Sequence, residues 1–216
     1  MSVKENYDKI KSTLNEDIAL IAVVKNQSYE DIKELYESGQ KIFAENKVQD
    51  LLDKMDFFKE YNMTWHFIGH LQRNKVKYII DKVDLIHSLD SIKLAEEISA
   101  RAKKIGKIMD CLVQVNTGNE DNKFGIDIEE CENFLSDLQQ FEGIRIIGLM
   151  AVTPYSDDPE NARPYFKKMQ SLFDKVKKQK YNSVEIKHLS MGMSNDYKIA
   201  AEEGANMVRI GSLLFY

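Results

Sequence analysis

A single lysine, Lys25, directly follows an apolar run of seven residues, Ile18 to Val24. A primary amine in its neutral form attacks an aldehyde and forms a Schiff base. At the end of a buried strand, we expect desolvation to lower the pKa of the ammonium group and to favour that neutral form. The alternative is that Lys25 ends the strand and extends its charged head into solvent.

Two segments near the other end of the chain contain the residues of an anion site. In HLSMGMSNDYK, Gly192 permits a tight turn, and Ser194 is placed to cap the following helix, whose free backbone N–H groups attract anions. In VRIGSLLF, Gly211 lets the backbone approach a ligand, and Ser212 adds a hydroxyl and an N–H group. We predict that the two segments bind one phosphate group. The alternative for Ser194 is an ordinary helix cap.

An arginine, Arg209, lies in the otherwise apolar segment Met207 to Ile210. Burying a guanidinium group is costly unless its charge is paired. We therefore expect Arg209 to meet either a carboxylate or a ligand, and we favour the ligand.

Eight segments have the length and composition of buried strands. They are Ile18–Val24, Lys41–Ala44, Thr64–Ile68, Leu85–Ser88, Cys111–Asn116, Ile144–Met150, Val184–Leu189 and Met207–Ile210. Several are almost continuously apolar, as is typical of parallel strands that are covered on both faces. Between them, apolar residues recur at helical spacing, and a further stretch of this kind precedes the first strand.

This alternation predicts an α/β fold, namely a single-domain (β/α)8 TIM-type barrel with an extra N-terminal helix, over residues 1–216. An open doubly wound sheet is the competing architecture, but the residues after the first strand, KNQSYED, lack its glycine-rich turn. We expect TPYSDDPENARP to be the longest loop. In a barrel the chemistry lies at the carboxyl ends of the strands. The first and last strands pair when the barrel closes, so Lys25 should lie next to the predicted phosphate site.

Composition and charge narrow the class of protein. The chain has 43% hydrophobic residues and a formal net charge of −5, with no basic stripe for nucleic acid. It has no apolar run of about 20 residues that would span a membrane, and its charged first residues do not resemble a signal peptide. Cys111 and Cys131 lie among apolar residues, so we expect buried free thiols and a cytoplasmic protein. We also expect a monomer.

An amine beside a phosphate site is compatible with two kinds of protein. Pyridoxal 5′-phosphate (PLP) carries an aldehyde and a phosphate on one small molecule, so Lys25 and the phosphate site can bind its two ends. A class I aldolase acting on a phosphorylated sugar uses the same two elements, and spacing alone does not exclude it.

Seven segments resemble those of the pyridoxal phosphate homeostasis proteins and occur in the same order between Ile18 and Phe215. They are IALIAVVK, FAENKVQD, WHFIGHLQRNK, VNTGNEDNKFGI, GLMAV, LSMGMSND and MVRIGSLLF. These PLP-binding proteins are similar to the N-terminal barrel domain of bacterial alanine racemase. The resemblance implies that PLP forms a Schiff base with Lys25.

The resemblance also implies how the two ends of the cofactor are bound. Ser194, Gly211 and Ser212 are expected to hold the phosphate. Arg209 is expected to face the pyridine nitrogen, which leaves that nitrogen unprotonated and makes the ring a poor electron sink.

Four more residues match family positions near the cofactor. Asn46, His66 and Met150 match residues that line it, and Lys123 matches a lysine that comes close to it. His66 is four residues from His70, but Gly69 and the preceding strand argue against a helix there, so we expect no metal site.

We therefore expect a PLP-binding protein that stores the cofactor, transfers it to apo PLP-dependent enzymes by reversible transimination and maintains vitamin B6 homeostasis. We expect no catalytic residues and little or no turnover, because a racemase needs a second base on the opposite face of the cofactor and the sequence offers no matched pair. His66 and Tyr216 are the candidates for an acid or base. The alternative is a PLP-dependent, racemase-like enzyme of low activity.

Overall fold

Eight parallel strands close a barrel in the computed structural model, which describes residues 2–118, 124–179, 181 and 184–216. With one short additional strand, β6, the described residues form nine strands in chain order: β1 Ala19–Val23, β2 Ile42–Glu45, β3 Thr64–Phe67, β4 Leu85–Leu89, β5 Met109–Asn116, β6 Ile126–Asp127, β7 Ile144–Ala151, β8 Val184–Ser190 and β9 Met207–Ile210. Around the barrel the order is β1-β2-β3-β4-β5-β7-β8-β9, with β9 again beside β1, while the short β6 pairs with the end of β5. The predicted barrel is confirmed.

Helices follow the strands and cover the outside of the barrel. In the described part of the chain they are α1 Val3–Lys11, α2 Tyr29–Glu37, α3 Val48–Phe57, α4 Val76–Ile79, α5 Ile92–Lys104, α6 Cys131–Leu138, α7 Arg163–Lys177, α8 Tyr197–Glu202 and α9 Ser212–Phe215. Two 3₁₀ helices, Arg73–Lys75 and Pro159–Ala162, precede α4 and α7. The predicted apolar stripes lie on α1, α3, α5, α6 and α7.

The predicted extra N-terminal helix is α1. Ser2 and Glu5 form a capping box at its first turn, which satisfies two backbone N–H groups that lack partners within the helix. The buried side chain of Asn6 donates a hydrogen bond to the backbone oxygen of Leu214, at 3.3 Å. The helix therefore packs against α9, near the last strand of the barrel.

The expectation of one long loop over TPYSDDPENARP is wrong for its second half. Pro159 begins a 3₁₀ helix, and Pro164 lies in the first turn of α7. Proline is favoured in a first turn because its missing N–H group would have no helical partner there. The loop therefore ends near Asp158, whose side chain accepts a hydrogen bond from the Glu160 N–H group.

The apolar core has two parts, separated by the wall of strands. One cluster contains strand residues and fills the barrel interior, since side chains alternate between the two faces of a strand. Its buried members are Ile21, Ala44, Leu85, Leu112, Met150 and Met207. The larger cluster joins the outer faces of the strands to the helices. Polar side chains on the interior face are therefore exceptions to an apolar lining.

The two cysteines are buried free thiols, as predicted. Burial, together with the charge of Glu132, raises the pKa of Cys131 to about 12. Within the described ranges, every helix is too short or too polar to cross a membrane.

Candidate functional site

The candidate amine, Lys25, lies just beyond the carboxyl end of β1, in a turn. The Gln27 N–H group donates to the Val24 carbonyl oxygen at 3.3 Å, and Asn26 has a φ of 60°, a left-handed conformation that asparagine tolerates well. Lys25 is exposed. The expectation that its amine is desolvated is therefore wrong, because the turn carries the side chain out of the barrel wall and into solvent.

The first and last strands bring this turn beside the predicted phosphate site. Ala22 of β1 pairs with Ile210 of β9 in a parallel register, so both strands end at the same level. A Cβ atom added at Gly211 would lie 3.2 Å from the Val23 carbonyl oxygen. The predicted proximity of Lys25 to the eighth strand end is confirmed, and the close approach explains why glycine occupies position 211.

Ser194 joins the ends of the last two barrel strands. Its Oγ accepts hydrogen bonds from the backbone N–H groups of Gly211, at 3.3 Å, and Leu213, at 3.4 Å. The hydroxyl hydrogen of Ser194 has no acceptor among the described residues, so it remains available to an anion. Ser212 follows at the start of α9 and is exposed. We call Ser194 and residues 211–213 the Ser194 corner, in which the hydroxyl groups of Ser194 and Ser212 are available as hydrogen-bond donors.

The prediction that Ser194 caps the following helix is wrong. Asp196 occupies the N-cap position of α8, and its carboxylate accepts a hydrogen bond from the Met193 N–H group at 2.7 Å. Gly192 makes the predicted tight turn, with a φ of 87°. This turn places Ser194 beside the end of β9, where its hydroxyl bonds across the strand ends and not within α8.

Arg209 lies on the interior face of β9, and its guanidinium group is buried. It donates to the Ser190 hydroxyl and to the Ala151 carbonyl oxygen, both at 2.7 Å. These partners are neutral, so the alternative of a directly paired carboxylate is wrong within the described residues. Burial lowers the pKa of Arg209 to about 10, although the charge of Asp196 acts in the opposite direction.

Two buried histidines extend this hydrogen-bond chain across the barrel. His87 Nδ1 lies 3.2 Å from Ser190 Oγ, and His87 Nε2 lies 3.0 Å from His66 Nδ1. Burial, followed by the charge of His188, lowers the pKa of His66 to about 3. Burial also lowers the pKa of His87 well below its ordinary value. Both imidazoles are therefore neutral at pH 7.

His87 is a further residue of the site, beyond those predicted from the sequence. The signal was present in the strand segment LIHSL, where Leu85 and His87 are two residues apart and share the interior face. A fully buried histidine on an interior face needs polar partners. Its partners, Ser190 and His66, come from distant parts of the chain, so the chain of hydrogen bonds leaves no mark in the local sequence.

Asn46 and Met150 complete the described part of the predicted site. Asn46 follows β2, and its Oδ1 is a buried acceptor without a partner. Its N–H group donates to the Glu45 carboxylate at 2.9 Å, and that carboxylate forms a buried salt bridge with Lys54. Met150 packs in the barrel interior. Lys123 lies outside the described residues.

No cluster of three or more metal-ligating side chains occurs in the ranges that the structure describes. His66 and His70 face different partners. His70 lies 3.4 Å from an Asp90 carboxylate oxygen and stacks on Phe124 with ring centroids 3.7 Å apart.

The donors and acceptors fit a small anionic aldehyde. Lys25 offers an accessible amine, the Ser194 corner offers hydroxyl donors, and Arg209 offers a cationic donor inside the barrel. The unpartnered Oδ1 of Asn46 is a buried polar atom that a ligand donor would satisfy. These groups suit a ligand that carries an aldehyde and a phosphate on a ring with a hydrogen-bond acceptor.

Sequence comparison identifies relatives over nearly the whole chain. A family model described as the alanine racemase N-terminal domain matches residues 1–216. The pyridoxal phosphate homeostasis protein of Aquifex aeolicus is 45% identical over 196 residues, which are 91% of this chain and 85% of that protein. The protein of the same name from Helicobacter pylori is 38% identical over 200 residues, or 92% of this chain and 87% of the relative.

Solved structures share the fold. PipY of Synechococcus elongatus, solved with PLP bound, has a TM-score of 0.91 and 31% identity, with 100% of both chains covered. The alanine racemase of Clostridium difficile has a TM-score of 0.73 and 19% identity, covering 99% of this chain and 56% of that one. At that identity the second comparison shows the barrel fold alone.

Acid should destabilise the protein before most carboxylates titrate. The unfolded chain protonates His66 and His87 near pH 6.5, whereas burial keeps both neutral in the folded protein to lower pH. The unfolded state therefore binds more protons, and the free energy of unfolding should fall between about pH 6.5 and 5, approaching roughly 1.4 kcal/mol per pH unit for each histidine. Urea unfolding at several pH values measures this slope.

His66→Gln should reduce the slope, whereas His70→Gln, at an exposed histidine outside the chain of hydrogen bonds, serves as the matched control. A free energy of unfolding that stays constant over this pH range in the wild type would contradict the assignment of neutral buried imidazoles.

Proposed function

Because this chain belongs to the family of the alanine racemase N-terminal domain, we propose that it carries PLP as a Schiff base on Lys25 and maintains PLP homeostasis. The observation that carries the proposal is the parallel register of β1 and β9, which places an accessible lysine beside the Ser194 corner. The similarity to PipY, solved with PLP bound, supports the choice of ligand.

Each part of the site has a task in this proposal. When bound, the cofactor would supply an aldehyde that condenses with a primary amine and releases water, and a second amine would take the place of the first by exchange, which frees the first amine. Lys25 is that primary amine. Ser194 and Ser212 bind the phosphate through their hydroxyl groups, and Gly211 lets the backbone come close to it. Arg209 directs a guanidinium N–H group toward the pyridine nitrogen.

Asn46, His66 and Met150 line the cofactor. Asn46 offers its unpartnered Oδ1, and Met150 offers an apolar contact from the barrel interior. His66 extends the polar chain that begins at Arg209.

Storage with little turnover agrees with the chemistry of Arg209. A guanidinium group can only donate hydrogen bonds, so a ring nitrogen facing it stays unprotonated and withdraws electrons weakly. The protein therefore protects a reactive aldehyde and transfers it to apo PLP-dependent enzymes, without accelerating reactions at the bound cofactor. We place this role in the cytoplasm and assign it to a monomer.

Lys25→Ala should abolish the covalent attachment of PLP. Wild-type protein mixed with PLP should develop a visible absorption band that borohydride removes, and the variant should lack this band because the amine is gone. Lys47→Ala is the matched control, since Lys47 is an exposed lysine at the end of the neighbouring strand β2. A borohydride-sensitive band in Lys25→Ala equal to that of the wild type would refute the proposed attachment.

Ser194→Ala should weaken PLP binding and leave pyridoxal binding unchanged, because pyridoxal lacks the phosphate. Loss of one hydrogen bond to a charged group costs about 1.5–3 kcal/mol, so the Kd for PLP should rise roughly tenfold or more. Titration of both ligands into wild type and variant measures the difference. Ser156→Ala, in the exposed loop before Pro159, controls for loss of a hydroxyl elsewhere. An equal loss of affinity for both ligands would place the phosphate at another position.

A further inference from the structure

The series of hydrogen bonds from Arg209 through Ser190 and His87 to His66 has a direction, because Arg209, its first member, cannot accept a hydrogen bond. Arg209 donates to Ser190 Oγ at 2.7 Å, and a guanidinium group has N–H donors and no acceptor. Ser190 therefore uses its own O–H group elsewhere. Among the described residues, the acceptor within reach is His87 Nδ1, at 3.2 Å.

The direction then passes through both imidazoles. Since His87 Nδ1 accepts from Ser190, a neutral His87 carries its proton on Nε2. That Nε2–H group donates to His66 Nδ1 at 3.0 Å. Because His66 Nδ1 accepts, a neutral His66 also carries its proton on Nε2. All four side chains are buried, so water does not readily replace any of these partners.

We infer that Arg209, acting through Ser190 and His87, fixes the tautomer of His66, which offers an N–H donor and no free lone pair to a ligand. Ser190 and His87 are thus positioning residues. Reversing the chain would require His87 to donate from Nδ1 to Ser190, which already accepts from Arg209. The Ser190 hydrogen would then be left without an acceptor in the described part of the barrel.

This inference rests on the proposed function in taking His66 as a residue that lines PLP. A fixed N–H donor matches a hydrogen-bond acceptor of the ligand, such as a phenolate oxygen. It also prevents His66 from taking a proton from the ligand, because Nδ1 accepts from His87 and Nε2 already carries a proton. The sequence left His66 open as an acid or base, and the direction of the chain removes the second role.

Long-range ¹H–¹⁵N NMR of the protein labelled with ¹⁵N-histidine reads the tautomers directly. At pH 7 we expect His66 and His87 to be neutral with the proton on Nε2, and the single variants His66→Gln and His87→Gln assign the signals. Ser190→Ala should remove the hydrogen bond to His87 Nδ1 and so give mixed tautomers for His87 and His66. Ser190→Thr, which keeps a hydroxyl, should restore it.

Ser88→Ala is the matched control, because Ser88 lies next to His87, is equally buried and has a hydroxyl without a hydrogen-bond partner. It should leave both imidazole signals unchanged. A proton on His66 Nδ1, an imidazolium at pH 7, or an unaltered pattern in Ser190→Ala would overturn the inference.

The tautomers are measured in the free protein, without PLP. Failure of this inference is therefore distinguishable from failure of the proposed function. Loading with PLP should shift the His66 Nε2 proton downfield, as expected for a new hydrogen bond to an acceptor. A loaded protein with its visible band and an unchanged His66 signal would show that His66 does not donate to the cofactor.

Discussion

The buried guanidinium group of Arg209 is the constraint on which the arrangement of the polar side chains inside the barrel depends. A charge inside a protein is costly unless its hydrogen bonds are satisfied, and here the partners are a hydroxyl and a carbonyl oxygen. Because these partners carry no charge, no carboxylate pairs directly with the guanidinium group, although the charge of Asp196 favours its charged form. The same group imposes a direction on the hydrogen bonds that follow, through Ser190 and His87 to His66. One residue thereby determines both the charge and the donor pattern of the interior.

Closure of the barrel brings the candidate amine and the predicted phosphate site together. Residues near the two ends of the chain meet because β1 and β9 are parallel neighbours, with Gly211 close to the Val23 carbonyl oxygen. The turn at Gly192 carries Ser194 to the end of β9, where its hydroxyl bonds to the backbone beyond that strand. An accessible amine and a set of anion-binding donors consequently lie at the same rim. Separation along the sequence says little about this site, because the strand register decides which residues meet.

The sequence predicts the barrel well and the site only in part. Apolar strand segments and helical stripes are local signals, so they can be recognised without a structure. The helical pattern is weak at α2, because only Ile32 and Leu35 of its nine residues are buried. The role of Ser194 differs from the predicted helix cap, because a serine hydroxyl serves a helix cap and a contact between strand ends equally well. The place of His87 in the site depends on a contact with Ser190, 103 residues away, which forms only when the barrel closes and which no local pattern predicts.

These features together describe a site that suits a reactive aldehyde and offers few groups to act on it. The most direct test is transfer of PLP from the loaded protein to an apo PLP-dependent enzyme, followed alongside racemisation of common amino acids. We expect the apo enzyme to regain activity, borohydride-reduced protein to donate nothing, and racemisation to stay at the level of free PLP. A loaded protein that retains its PLP in the presence of the apo enzyme while racemising amino acids would contradict the account.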